Sequence, residues 1–131
     1  RARRRRESLA ANVELLRMDV TRLDFPDRSF DAAVAAFLFC VLPDELQVPA
    51  LRELGRVVRP GGIIRLLEYV RPHGAVRRVA AKLWEPWIAW AYGAGFDRRT
   101  EEHVPEAGLR PVEARFIVDD LIKLISARTT G

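Results

Sequence analysis

The side chains able to do chemistry gather at the ends of apolar runs. Asp19 and Val20 close "VELLRMDV", and Glu68 and Tyr69 fall near the end of "IIRLLEYV". Between them, Phe37 and Leu38 lie inside the apolar run "FDAAVAAFLFCVL". Carboxylates and a phenol in such places can accept hydrogen bonds or move protons. The remaining reactive groups offer less. His73, in "RPHG", reads as a loop residue, His103 as a residue on an exposed helix face, and Cys40 as a small buried hydrophobe rather than a nucleophile. A lone Cys cannot form an internal disulfide, and with two His it makes no ligand set for structural zinc, so no metal is expected. Gly93-Ala94-Gly95 follows a helical stretch rather than a strand, which argues against a nucleotide-binding loop there.

The elements that must hold these residues can be read from periodicity. Residues 2–11 have helical composition and lead through Asn12 into the β-rich run that ends at Asp19 and Val20. "TRLDFPDRS" is polar, with Pro26-Asp27 suited to a type I turn. "FDAAVAAFLFCVL" is apolar on consecutive residues, the pattern of a central strand covered on both faces. From Pro49, placed at the first helical position, Ala50, Leu51, Leu54, Val57 and Val58 recur at helical spacing, and Val48 before the proline should be extended. Arg59-Pro60-Gly61-Gly62 should end that helix, and "IIRLLEYV" should be the next buried strand. Strand, helix and strand joined by tight turns predict a right-handed crossover in a parallel sheet. Further on, Val76, Val79, Ala80, Leu83, Trp84, Trp87, Ile88 and Ala91 form an apolar stripe on a helix at about 75–92, interrupted at Pro86. "RRTEEHVPEAGL" is a further helix stopped by Gly108, and the β-rich runs around Asp119-Asp120 predict a closing antiparallel hairpin.

At 131 residues and 49% hydrophobic content the chain suits one domain, 1–131. Its longest uncharged run is too short to span a bilayer, nothing resembles a signal peptide, and a cytoplasmic protein is expected. Five of the first six residues are Arg, yet the other 125 hold 17 basic against 18 acidic side chains. The body is nearly neutral, so the basic start reads as a solvated helix end and no nucleic-acid partner is expected.

The blocks "LLRMDVTRLDFPDRSFDAAV" and "LRELGRVVRPGGIIRLLE" together resemble class I methyltransferases that use S-adenosylmethionine: the first their third strand, loop and fourth strand, the second the helix and fifth strand around a "RVLKPGG" pattern. The resemblance implies an α/β fold, a Rossmann-like mostly parallel sheet with a C-terminal antiparallel hairpin, in the strand order 3-2-1-4-5-7-6. It implies S-adenosylmethionine as cofactor, with Asp19 accepting a hydrogen bond from the adenine amino group, Val20 contacting the base through its backbone, and Phe37 and Leu38 passing beside the methionine portion. Glu68 and Tyr69 would be the catalytic pair where the methyl acceptor must lose a proton. "LLEYVRPHG" followed by an aromatic helix and "FDRRTEEHVPEAGL" is similar to methyltransferases of phospholipid headgroups, quinone precursors and small thiols. A small or lipid-like acceptor is therefore expected. Trp84, Trp87 and Trp90 could cover it, touch lipid headgroups as a peripheral membrane contact, or simply pack on the sheet.

The family's glycine-rich cofactor loop and its first two strands have no counterpart here. The sequence is expected to start inside the helix before the third strand, which would leave about 14 Å, three strand spacings, between the third and fourth strands. Poor cofactor binding by this chain alone is the corresponding expectation. The alternative is a non-catalytic α/β interaction module with an exposed sheet edge.

Overall fold

The computed structural model describes residues 13–69, 79, 82, 83, 86, 100–119 and 121–131. They form β1 (Phe30–Ala36), α1 (Asp44–Val57), β2 (Val58–Tyr69), α2 (Thr100–Glu106), β3 (Arg110–Val118) and β4 (Ile122–Arg128). The sheet order is β1-β2-β4-β3. β1 and β2 pair in parallel across the α1 crossover, while β4 runs antiparallel to both β2 and β3. Those four strands reproduce the 4-5-7-6 part of the implied order.

The crossover is shaped by side-chain pattern. On α1 the buried residues Gln47, Ala50, Leu51, Leu54 and Val57 recur at helical spacing. On β2, Ile64, Leu66 and Glu68 are buried at alternate positions, which puts all three on one face of the sheet. Ile125 and Ala127 of β4 stand opposite Leu66 and Ile64 in register and join the same core, together with Val104 and Leu109 from the α2 region. Full burial of Leu51, Ile64 and Leu66 contributes roughly 1.5–3 kcal/mol each.

Four expectations need correction. Residues 13–18 hold no strand; the only pairing there is an isolated bridge between Asp19 and Arg22, and Leu15 and Leu16 are exposed. A strand exists through hydrogen bonds to a neighbour, and no described segment lies alongside this one. The helix begins at Asp44 rather than Pro49, with Asp44 and Glu45 in its first turn and Pro49 inside. The acidic pair suits a helix N-terminus, and the continuous buried face from Gln47 to Val57 carries the helix, Val48 included, through the proline. β1 is an edge strand among those described, mostly exposed, with Val34 at 67%. Its apolar composition does not reveal which side lacks a neighbour.

The fourth correction concerns Pro60-Gly61-Gly62, which lies within β2 rather than before it. Phe30 pairs with Val58 and Ala32 with Ile63, so the extra residues of β2 bulge outward between those two pairs. Gly61 takes the left-handed conformation at φ 73, which glycine adopts without steric cost. Gly62 is needed for a different reason: a Cβ there would come within 2.8 Å of the carbonyl oxygens of Arg59 and Asp31. The bulge pairs with the C-terminal stretch through Gly61 N–H to Thr129 O at 3.1 Å and Thr129 N–H to Gly62 O at 3.1 Å.

The later elements follow expectation. α2 stops at Gly108, at φ 79, and β3 and β4 form the antiparallel hairpin with Val118 opposite Ile122. Of the apolar stripe at 75–92, Val79 and Leu83 are described; both are helical and exposed, at 62% and 75%. Trp84, Trp87, Trp90 and His73, like the Arg-rich start, lie outside the described residues.

Candidate active site at the strand ends

β1 and β2 stop side by side, and the rim they form carries four of the six singled-out residues. Phe37 N–H donates to Leu67 O at 2.8 Å, one last ladder bond before Phe37 turns the chain with φ 55. For a residue with a Cβ that conformation costs roughly 1–2 kcal/mol. Two successive turns follow, Val41 N–H to Leu38 O and Leu42 N–H to Phe39 O, both at 3.2 Å. The Phe37 ring stacks on Tyr69 with centroids 4.5 Å apart and planes inclined by 23°, and both rings stay partly open to solvent. Leu38 packs against the core from above the strand end.

Glu68 faces the other way. Sharing the face of Ile64 and Leu66, it is only 3% exposed, and neither carboxylate oxygen forms a hydrogen bond among the described residues. Burial raises its pKa to about 7, against the opposing pull of the Phe39 and Cys40 amides nearby, because an ionised carboxyl is costly in an apolar setting. Gln47 Oε1, Thr100 Oγ1 and Ser126 Oγ are likewise buried without a hydrogen bond among the described residues, while His103 Nε2 lies 3.9 Å from Asp44 Oδ1. Gln47 Nε2 donates to Phe39 O at 3.3 Å. Lys123, opposite Glu68 in the β2–β4 register, is paired with Glu101 at 2.5 Å.

Asp19 and Val20 belong to a separate turn. Asp19 Oδ1 accepts from the Thr21 N–H at 2.8 Å and the Thr21 hydroxyl at 2.7 Å, and Arg22 N–H donates to Asp19 O at 3.0 Å. The Thr21 bonds hold the exposed Asp19 carboxyl below the usual carboxylate range. Both fall on Oδ1, and among the described residues no hydrogen bond reaches Oδ2, which can accept two. Val20 is half-buried against the core.

Sequence reasoning passed over the residues that fasten this turn to the fold. Glu53 and Arg56, three apart at the end of α1, form an ion pair at 2.6 Å. Glu53 Oε1 accepts the Leu23 N–H at 2.9 Å. Arg56 donates to Leu23 O at 2.9 Å, Phe25 O at 2.8 Å and Asp27 Oδ1 at 2.7 Å. The available signal was an acid and an arginine at helical i,i+3 spacing just ahead of the Pro-Gly-Gly segment. The bond from Arg56 holds the Glu53 carboxyl below its ordinary value, and Glu53 with Asp27 raises the Arg56 guanidinium still further above neutrality.

A family model described as a methyltransferase domain matches residues 1–62. Over that stretch the chain is similar to methyltransferase domains. It is 35% identical over 92 residues to a demethylmenaquinone methyltransferase of Staphylococcus haemolyticus, covering 70% of this chain and 38% of that one. To a phosphatidylethanolamine N-methyltransferase of Cereibacter sphaeroides it is 34% identical over 93 residues, covering 68% and 44%. The chain thus spans about two fifths of the length of those curated relatives. Its fold matches the crystal structure of a putative methyltransferase from Bacillus halodurans with a TM-score of 0.73 at 15% identity, covering 99% of this chain and 78% of that one. The expected Rossmann-like architecture is therefore matched by the fold.

Proposed function

We propose that the protein takes part in transfer of a methyl group from S-adenosylmethionine to a small or lipid-like acceptor. The observation that supports this best is the meeting of Phe37, Leu38, Glu68 and Tyr69 at the ends of two parallel strands, the edge where open α/β sheets bind ligands. The named activities of the relatives, on a demethylated quinone and on a phospholipid headgroup amine, support the acceptor class. In this reading Asp19 Oδ2 and the Val20 backbone hold the adenine ring, and Phe37 and Leu38 border the methionine portion. The cofactor, when bound, supplies an electrophilic methyl group.

Most of the acceleration in such a transfer comes from alignment. Tyr69, exposed at the rim, is the side chain that meets the acceptor. Glu68 is the proton acceptor behind it: a carboxyl with pKa about 7 is poised near neutral pH. Its burial restricts it to protons delivered beneath the 37–40 turn. Because residues 13–18 form no strand and the sequence holds no glycine-rich loop after a strand, the chain by itself should bind the cofactor more weakly than micromolar.

Titration of the 15N-labelled chain with S-adenosylhomocysteine to millimolar concentration tests the assignment even at weak affinity. Saturable shifts at the amides of Asp19, Val20, Phe37 and Leu38 are expected. Shifts confined to other residues, or none, would sink it. The exposed edge of β1 favours one competing reading, an interaction module, in which the titration is silent and sedimentation shows association that an Ala33→Pro change abolishes.

A further inference from the structure

We infer that Arg56, fixed by Glu53, is a positioning residue that sets the shape of the adenine-contacting turn at Asp19–Arg22 without touching the ligand. The inference rests on the reading that Asp19 and Val20 meet the adenine ring.

The turn has little to hold it. Residues 13–18 form no strand, so among the described residues no sheet ladder fixes the chain on its N-terminal side. Within the turn the bonds are local, spanning two or three residues, and such bonds order a segment without fixing its place in the fold. The nearest long-range polar anchor is Leu23, two residues beyond Thr21, whose N–H goes to Glu53 and whose carbonyl goes to Arg56. Arg56 then reaches Phe25 O and Asp27 Oδ1. Its own carbonyl accepts the Arg28 N–H at 2.9 Å, just before β1 begins. One guanidinium thereby gathers three successive points of the loop, at residues 23, 25 and 27, against the last turn of α1.

The apolar side chains of the same segment are seated by this arrangement. Leu23 and Phe25 pack against the core together with Val20, and Phe25 meets Phe30 edge-on at 4.8 Å. The polar clamp fixes backbone direction and the apolar contacts fix depth. A lysine could not substitute, since one ammonium lacks the planar fork that serves a carboxylate and two carbonyls at once. The Arg56 side chain is 33% exposed and the Glu53 side chain 16%, so the pair is half-sheltered from solvent and part of its attraction survives screening.

The test measures amide hydrogen exchange and S-adenosylhomocysteine-induced shifts in the labelled chain and in its Arg56→Ala, Arg56→Lys and Glu53→Gln variants. Arg56→Ala should speed exchange at Thr21 and Arg22 by about tenfold, the loss expected for charge-assisted bonds at a single anchor. Leu66 and Ile125 in the central ladder report global stability and should change by much less. Arg56→Lys should restore little, and Glu53→Gln should fall between. A purely structural role would instead move the turn and the ladder together, and that outcome, or unchanged exchange at Thr21 and Arg22, overturns the inference. Where the exchange pattern holds but the ligand shifts no signal at Asp19 or Val20, the adenine assignment fails and the clamp stands as an organiser of the loop alone. Where the ligand does shift them, its half-saturation concentration should rise in Arg56→Ala, and an unchanged value argues against positioning.

Discussion

The two ends of α1 obey opposite rules. At its C-terminal end Glu53 and Arg56 meet a complete set of partners, and each loop group they face is hydrogen-bonded. At its N-terminal end, beside the strand rim, the Glu68 carboxylate and Gln47 Oε1 are buried without a hydrogen bond among the described residues, and Phe37 holds a left-handed backbone. Buried unpaired polar groups cost free energy, so natural sequences retain them where another requirement outweighs stability. The satisfied end organises the chain, and the site proposed above lies at the unsatisfied end. A search guided by the richest hydrogen-bond network would lead to the other end.

That contrast can be broken by substitution. The largest effect should come at the organised end, from Gly62→Ala. The new methyl would sit 2.8 Å from two backbone oxygens and closer still to Val58, none of which can yield without moving the strands. A loss of about 3 kcal/mol or outright failure to fold is expected, measured by urea unfolding; a variant as stable as the parent would contradict the packing described.

At the rim the sign reverses. Glu68 has a folded pKa above the unfolded value of 4.5, so between pH 4.5 and about 7 the unfolded chain binds fewer protons than the native one. Stability therefore falls as pH rises through that window and stays lowered above it. Glu68→Gln should leave stability unchanged near pH 4 and raise it at pH 8 by up to about 3 kcal/mol, flattening the pH profile of unfolding. A variant that is less stable at pH 8 would show that the carboxylate has a stabilising role there. The smallest effect is expected for Asp27→Asn. Its carboxylate is 70% exposed, and the exposed half of the clamp should shift stability by less than about 0.5 kcal/mol; a larger change would mean that the clamp is less screened than its exposure implies.

How much of this could be read beforehand depends on whether the cause was local. The crossover, the hairpin about Asp119, the helix stop at Gly108 and the placement of Tyr69 at a strand end all follow from periodicity and turn residues, which act within a few positions, whereas periodicity left Phe37 and Leu38 inside the apolar run and only the family resemblance set them beside the cofactor. Residues 13–18 failed because β-propensity says nothing about whether a neighbour exists to pair with. The helix start moved because a buried face from Gln47 onward outweighs the disfavoured proline. Glu68 was found but not its orientation: alternation along β2 assigns it to the face of Ile64 and Leu66, and only the tertiary fold shows that this face lies beneath the helices. The Glu53–Arg56 clamp spans about 30 residues to its loop partners, a distance that spacing rules do not reach.

The bulge at Pro60-Gly61-Gly62 ties residues from opposite halves of the polypeptide: Thr129 donates its hydroxyl to Arg59 O, 70 positions earlier. As the chain leaves the ribosome, that corner must therefore wait, its glycine amide and carbonyl wetted by solvent, until Thr129 emerges. The crossover unit is thus completed only when a segment 70 positions away arrives, and that segment acts as its latch.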